Sequence, residues 1–154
     1  ANEAWSAGQL AAWLPALPEL GVSAVEQPLP ADDDSALRGL ERSLPICADE
    51  AFHDRRSFSD VDGKYDMVNI KLDKAGGLTE ALYCVGKARR LGLEVMVGCM
   101  VSTSLAVEPA LLLTSGVEYV DLDGPLLLET DREGARHDRD SGLLRPSSAI
   151  WGAS

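Results

Sequence analysis

Lys71 ends a short apolar run, Met67-Val68-Asn69-Ile70, and is followed by Leu72-Asp73-Lys74-Ala75-Gly76-Gly77. An amine at the mouth of a buried strand can stabilise an enolate or move a proton on carbon; the plainer reading is a solvated strand-end lysine. Its neighbours in the chain favour the chemical reading. Val22-Ser23-Ala24-Val25 runs into Glu26 and leaves through Gln27-Pro28, and Pro45-Ile46-Cys47-Ala48 runs into Asp49-Glu50. Glu26 and Asp49 are hard oxygen donors, and Mg2+ commonly keeps several waters while using one or two carboxylates together with substrate oxygens. A cation beside an amine, both aimed at one mouth, is the combination that carbon-acid chemistry needs.

Glu26, Asp49, Lys71, Cys99 and Asp121 lie 22 to 28 residues apart, each at the C-terminal end of an apolar run. That is the period of a parallel β/α barrel, in which the strand ends converge on one face. A chain that needed only a packed core would gain nothing from polar groups at successive strand exits. The expected strands cover residues 22–28, 45–48, 67–71 and 93–100, with a final unit over 117–125. Five such units do not close an eight-stranded barrel, so further strands and their loops are expected elsewhere, and an unpaired first strand would be a template for association.

The helical patterns fit between these strands. Leu10, Trp13, Leu14 and Leu17 share one face before Pro15 and Pro18 end the first helix. Asp32-Asp33-Asp34 ahead of Ser35-Ala36-Leu37 is expected to cap a helix reaching about residue 43. Gly76-Gly77 and Thr79 predict a turn and an N-cap for a helix over 79–91, and another helix is expected over 106–113, after the hydroxyls of Ser102, Thr103 and Ser104. His53, Arg55 and Arg56 either line the mouth or belong to a solvated loop. The charged stretch 129–140 reads as a hairpin or loop, and Ile150 and Trp151 as a terminal segment that packs on another part of the protein.

The chain's 154 residues, 45% apolar and 25% charged, suit a folded globular domain. A net charge of −11 without a basic stripe argues against nucleic acid and favours a divalent cation. Apolar runs such as 10–14 and 110–113 are far too short to span a membrane, and no signal-peptide pattern opens the chain, so a cytoplasmic location is expected. Cys47, Cys84 and Cys99 form no Cys-x-x-Cys pair and have only His53 and His137 as imidazole partners. Packed, reduced thiols are expected rather than zinc or disulfides.

Several segments together resemble the enolase superfamily, and within it the dipeptide epimerases. They are Ala1-Asn2-Glu3-Ala4-Trp5, Val25-Glu26-Gln27-Pro28-Leu29-Pro30, Pro45-Ile46-Cys47-Ala48-Asp49-Glu50, residues 67–77, Gly98-Cys99-Met100 and Asp121-Leu122-Asp123-Gly124-Pro125. The resemblance implies the C-terminal portion of a (β/α)7β TIM-like barrel over residues 1–128, with 129–154 as a tail packing on the family's capping domain. It implies an isomerase that epimerises L-Ala-D/L-Glu type dipeptides in cell-wall peptide recycling, with Glu26 and Asp49 binding Mg2+ and Lys71 as acid/base. It further places Asp121 and Asp123 at the dipeptide ammonium, with Cys99 and Met100 among the substrate-binding residues. Magnesium and desolvation would keep Lys71 available as a neutral base. The plain alternative for Asp121 and Asp123 is a capped turn before Gly124-Pro125.

The family's Lys-x-Lys strand and the metal aspartate of its Asp-Ala-Asn sequence have no counterpart in this chain, which is therefore expected to be inactive alone. The companion would be the N-terminal part of the same enzyme or another copy in an oligomer. The alternatives are another superfamily enzyme, such as a muconate cycloisomerase or a succinylbenzoate synthase, or a non-catalytic truncated fragment.

Overall fold

On the strand that carries Lys71, Met67, Val68, Asn69 and Ile70 are all buried, as expected of the middle strand of a parallel sheet covered on its outer face. The computed structural model describes residues 1–134, 137–138 and 143–144. Five strands, β1 (Val25–Glu26), β2 (Ile46–Ala48), β3 (Met67–Lys71), β4 (Glu94–Gly98) and β5 (Tyr119–Asp121), lie side by side in chain order. Each pairs in parallel with the next, giving the half-barrel that the strand spacing predicts. Because side chains alternate along a strand, Met67, Asn69 and Lys71 share the concave face, while Val68 and Ile70 point to the helices. Lys71 is opposite Gly98, and Gly98 is opposite Asp121, so the register itself aligns these strand exits.

The core lies between the convex face of the sheet and the helices. Val25, Ile46, Ala48, Val68, Ile70, Val95 and Val97 pack in one cluster with Ala81, Cys84, Val85 and Ala88 of α4 (Leu78–Arg90). Burying a side chain such as Ile70 contributes about 1.5–3 kcal/mol. α1 (Ala7–Trp13) starts with a full capping box in which Ser6 and Gln9 satisfy each other's backbone, and the single turn of α2 (Phe58–Val61) buries Phe58 and Val61. Leu10 and Leu14 enter the core, but Trp13 does not: it is 43% exposed and packs edge-on against Trp5 with ring centroids 5.2 Å apart.

Several connections depart from the sequence expectation. The helix expected to run to residue 43 is a single 3-10 turn, Ser35–Leu37, and Gly39 at φ 69° turns the chain away. Asp34 caps no helix; its buried carboxylate accepts from Lys64 Nζ and the Tyr65 hydroxyl. The β3 exit folds first into a one-turn helix, α3 (Leu72–Ala75), which ends at Gly76 with φ 79°. Gly77, at φ 128°, then occupies the N-cap of α4 in place of Thr79. The 106–113 segment divides into α5 (Ser104–Val107) and a 3-10 helix, Glu108–Leu113, where Pro109 supplies no amide proton.

Residues 1–5 run along the exit of β1. Ala1 N donates to Glu26 O at 2.7 Å, Glu3 N to Gln27 O at 2.7 Å and Trp5 N to Pro28 O at 2.9 Å. Of the 129–140 stretch expected as a hairpin or loop, His137–Asp138 pairs antiparallel with Leu143–Leu144, a partner beyond the expected bounds; Ile150 and Trp151 lie outside the described residues. Among the described residues no helix is long and apolar enough to cross a membrane.

Candidate functional site

The end of β3 puts Lys71 Nζ 2.7 Å from Asp49 Oδ2. The single turn of α3 then brings Lys74 back to the other carboxylate oxygen, Asp49 Oδ1, and to the Asp49 carbonyl. All three side chains are largely buried, with relative exposures of 13%, 7% and 10% for Lys71, Asp49 and Lys74. For Asp49 burial acts upward, but the charges and hydrogen bonds of Lys74 and Lys71 prevail and lower its pKa. For Lys74 burial prevails and lowers the ammonium. For Lys71 burial also acts downward, yet Asp49, then Glu26 and Glu50, outweigh it and the net shift is upward. Desolvation alone therefore does not lower the Lys71 amine: the neighbouring carboxylates oppose it, and a cation bound between them is what the neutral form would need.

Glu26 leaves β1 toward the same face. Asn69 Nδ2, two residues before Lys71, donates to Glu26 Oε1 at 2.6 Å, and its own Oδ1 is buried with no partner among the described residues. Room for this side chain comes from Gly98 on the neighbouring strand, where a Cβ would lie 2.5 Å from Asn69 Oδ1. Glu50 Oε2 is also buried with no partner among the described residues.

The exits of β4 and β5 form the other side of the mouth. Gly124 N donates to Cys99 Sγ at 3.3 Å, and a Cβ on Gly124 would sit 2.3 Å from Met100 O. The turn after β5 is therefore clamped against the end of β4. Burial, followed by the charge of Asp123, raises the pKa of Asp121. A like-charged pair of this kind is suited to an ammonium group. Met100 is 48% exposed and Cys99 is half-buried, so both can face a ligand at the rim.

Lys71 is the common electrostatic neighbour of the expected residues: its charge acts on Cys47, Asp49, Cys99 and Asp121, and the charge of Glu26 acts on it. His53, Arg55 and Arg56 belong to the surface. Arg55 pairs with Glu80 and stacks 4.1 Å over the Tyr83 ring, while Arg56 pairs with Asp54 at 2.6 Å. Lys74, Asn69 and Gln27 are the contributors that sequence reasoning missed. Lys74 had one available signal, its three-residue spacing from Lys71.

Among the described residues, no group of three or more His, Cys, Asp or Glu side chains is arranged to hold a metal ion. The two carboxylates still fit magnesium, which is typically held by one or two of them plus water and substrate oxygens. Glu50, next to Asp49 in the chain, and Asn69, bonded to Glu26, each keep a buried oxygen with no partner among the described residues, as a site that takes up a further polar group would.

A sequence profile described as "Enolase C-terminal domain-like" matches residues 1–146. The L-Ala-D/L-Glu epimerase of Escherichia coli is 53% identical over 135 residues, covering 88% of this chain and 42% of the relative. An N-acetyl-D-glutamate racemase of a Pseudoalteromonas species is 44% identical over 154 residues, covering 100% of the chain and 49% of the relative. The chain thus spans about half the length of these curated relatives. A crystal structure of an enolase family member from Agrobacterium tumefaciens, with bound sodium and L-Ala-L-Glu, superposes with TM-score 0.91 at 44% identity over 98% of this chain and 46% of that one. A dipeptide epimerase from Enterococcus faecalis, complexed with Mg and L-Leu-L-Tyr, superposes with TM-score 0.84 at 28% identity over 97% and 46%.

Proposed function

The chain belongs to the enolase C-terminal domain-like family, and from that premise we propose that it carries one proton-transfer face of a dipeptide epimerase, an isomerase acting on L-Ala-D/L-Glu type dipeptides. The observation that carries this reading is Lys71 seated on Asp49 with Glu26 beside them, at the exits of three adjacent parallel strands. We place the enzyme in the cytoplasm, in the recycling of cell-wall peptides.

In this reading Glu26 and Asp49 hold magnesium. The metal, when bound, stabilises the negative charge that develops on the substrate carboxylate as the α-proton leaves. Lys71, reached by that proton from one face of the α-carbon, takes it as the neutral amine and returns it as the ammonium. Asp49 can release Lys71 to this role because Lys74 remains on its other oxygen. Asp121 and Asp123 receive the dipeptide ammonium, and Cys99 and Met100 border the substrate, with Cys99 fixing the turn through Gly124. The acid/base for the opposite face belongs to the part of the relatives that this chain does not span.

The racemase relative, matched along the whole chain, favours a second reading, in which the substrate is an N-acylated amino acid without an ammonium group. A chimera separates the two. The 135 matched residues replace their counterparts in the Escherichia coli epimerase, and turnover of L-Ala-L-Glu is compared with that of N-acetyl-glutamate. Preference for the dipeptide, lost on Asp121→Asn or Asp123→Asn, supports the first reading; preference for N-acetyl-glutamate overturns it.

A further inference from the structure

We propose that Gln27 is a positioning residue for the two strand-end carboxylates: its carboxamide locks the main chain at Asp49 to the exit of β1, so that Glu26 and Asp49 move as one unit. The proposal rests on the reading of those two residues as ligands of a divalent cation. Gln27 is fully buried, and all its polar capacity is used. Its Oε1 accepts from Asp49 N at 3.0 Å and Ala51 N at 3.1 Å, and its Nε2 donates to Leu29 O at 2.9 Å and Tyr65 Oη at 2.8 Å.

This bonding fixes the orientation of the amide. Rotating it by half a turn would set two donors against two backbone N–H groups and an acceptor against a carbonyl. Asparagine is one methylene too short for the span, glutamate turns an oxygen onto Leu29 O, and leucine takes this partner from the Asp49 and Ala51 amides and the Leu29 carbonyl, leaving Tyr65 only its bond to Asp34. The backbone is committed as well. Gln27 has φ 33°, a conformation that a residue with a Cβ rarely adopts, and its N–H and C=O are held by Cys47 O at 2.9 Å and Glu3 N at 2.7 Å. Strain of this kind persists where the surroundings over-determine it, here one residue beyond Glu26.

The far side of the carboxamide is anchored in turn. Tyr65 Oη donates to Asp34 Oδ2 at 2.8 Å, and the buried Asp34 is paired with Lys64. Burial, then Asp34, push the phenol pKa well up, so Tyr65 remains a neutral donor and acceptor. A buried chain thus runs from Lys64 through Asp34, Tyr65 and Gln27 to the Asp49 and Ala51 amides. Gln27 touches neither reacting atoms nor cation; it acts through Asp49.

The test uses the 154-residue chain with Mn2+ as the probe for the magnesium site, and amide hydrogen exchange at Asp49 and Ala51. Gln27→Leu is expected to weaken Mn2+ binding about 10- to 100-fold and to accelerate exchange at both amides. Tyr65→Phe, which removes one partner of Nε2, is expected to weaken binding by about two- to tenfold. A packing role would lower the melting temperature of both variants but leave the Mn2+ Kd unchanged. Mn2+ affinity within twofold of the parent, with parental exchange at Asp49 and Ala51, overturns the proposal. If Gln27→Leu fails to fold, the same two readouts on Tyr65→Phe decide it. If the parent chain takes up no Mn2+, the same Kd comparison is made in the chimera with the Escherichia coli epimerase, which supplies the metal aspartate this chain lacks; absence of Mn2+ binding there sinks the metal reading, and amide exchange on the chain then judges Gln27.

Discussion

Replacing Gly98 with alanine places a methyl carbon 2.5 Å from Asn69 Oδ1 and 2.7 Å from Asn69 Nδ2. Asn69 has little room to yield: it is 1% exposed, and its Nδ2 is committed to Glu26 Oε1 at 2.6 Å. Forcing a methyl group into such packing costs about 1–3 kcal/mol, and displacing a hydrogen bond to a charged group costs about 1.5–3 kcal/mol. The two costs overlap, because moving Asn69 relieves the first by incurring the second. The expected net destabilisation is about 2–3 kcal/mol, or a fall in melting temperature of about 4–12 °C for a chain of this size. The assay is a double-mutant cycle by urea and thermal unfolding of the parent, Gly98→Ala, Asn69→Ala and the double variant. Gly98→Ala in the Asn69→Ala background should cost less than about 0.5 kcal/mol, since the obstructing side chain is gone. A single variant within about 0.5 kcal/mol of the parent, or an undiminished cost in the double variant, refutes the reasoning.

Lys74→Met should lower stability by about 1.5–3 kcal/mol at neutral pH, because it removes one of two cations from a buried carboxylate; unfolding titrations measure this, and a neutral effect would show that Lys71 alone suffices for Asp49. Gly124→Ala drives a Cβ to 2.3 Å from Met100 O and 3.0 Å from Cys99 Sγ. It should shift the amide resonances of residues 121–124 and lower dipeptide affinity in the chimera while leaving those of β1 and β2 unchanged. At Glu94, burial, then the charges of Glu118 and Asp66, raise the pKa above its ordinary 4.5. The protonated form is favoured by folding, so this contribution is complete below about pH 4.5 and is lost as pH rises through the folded value. Because Glu94 is exposed and its repulsion is screened by solvent, Glu94→Gln should raise the melting temperature by no more than about 1 °C at pH 7, and by less below pH 4; an equal gain at both pH values would contradict the assignment.

The strand exits were legible in the sequence because each joins an apolar run to a polar residue at a regular interval, and parallel topology does the rest. Lys71, Glu26 and Asp49 could be placed on one mouth before any coordinates. Other contributors act only through tertiary contacts. Asn69 reads as one polar residue inside a strand until Gly98 opens space for it. Gln27 looks like an ordinary step before a proline until its carboxamide is seen to satisfy backbone groups from two segments and the Tyr65 hydroxyl. Asp34 illustrates the opposite error: an acid ahead of a helical pattern suggests a cap, but a buried lysine and tyrosine 30 and 31 residues later hold its carboxylate. The balance at Lys71 was hidden for a related reason, since burial lowers an ammonium and the carboxylates opposing that shift come from neighbouring strands.

The most direct test of the central claim, that Lys71 moves a proton on the α-carbon at a mouth built by Glu26 and Asp49, is isotope exchange in deuterated water. The chimera is incubated with L-Ala-L-Glu and Mg2+, and deuterium at the glutamate α-carbon is followed by NMR, alongside Lys71→Met and Lys74→Met. With L-Ala-D-Glu tested alongside, exchange abolished by Lys71→Met for one of the two epimers, with epimerisation lost, and both activities retained at reduced rate by Lys74→Met, is the predicted result. Exchange that persists at the parental rate without the Lys71 amine, from both configurations of the substrate, would contradict the account.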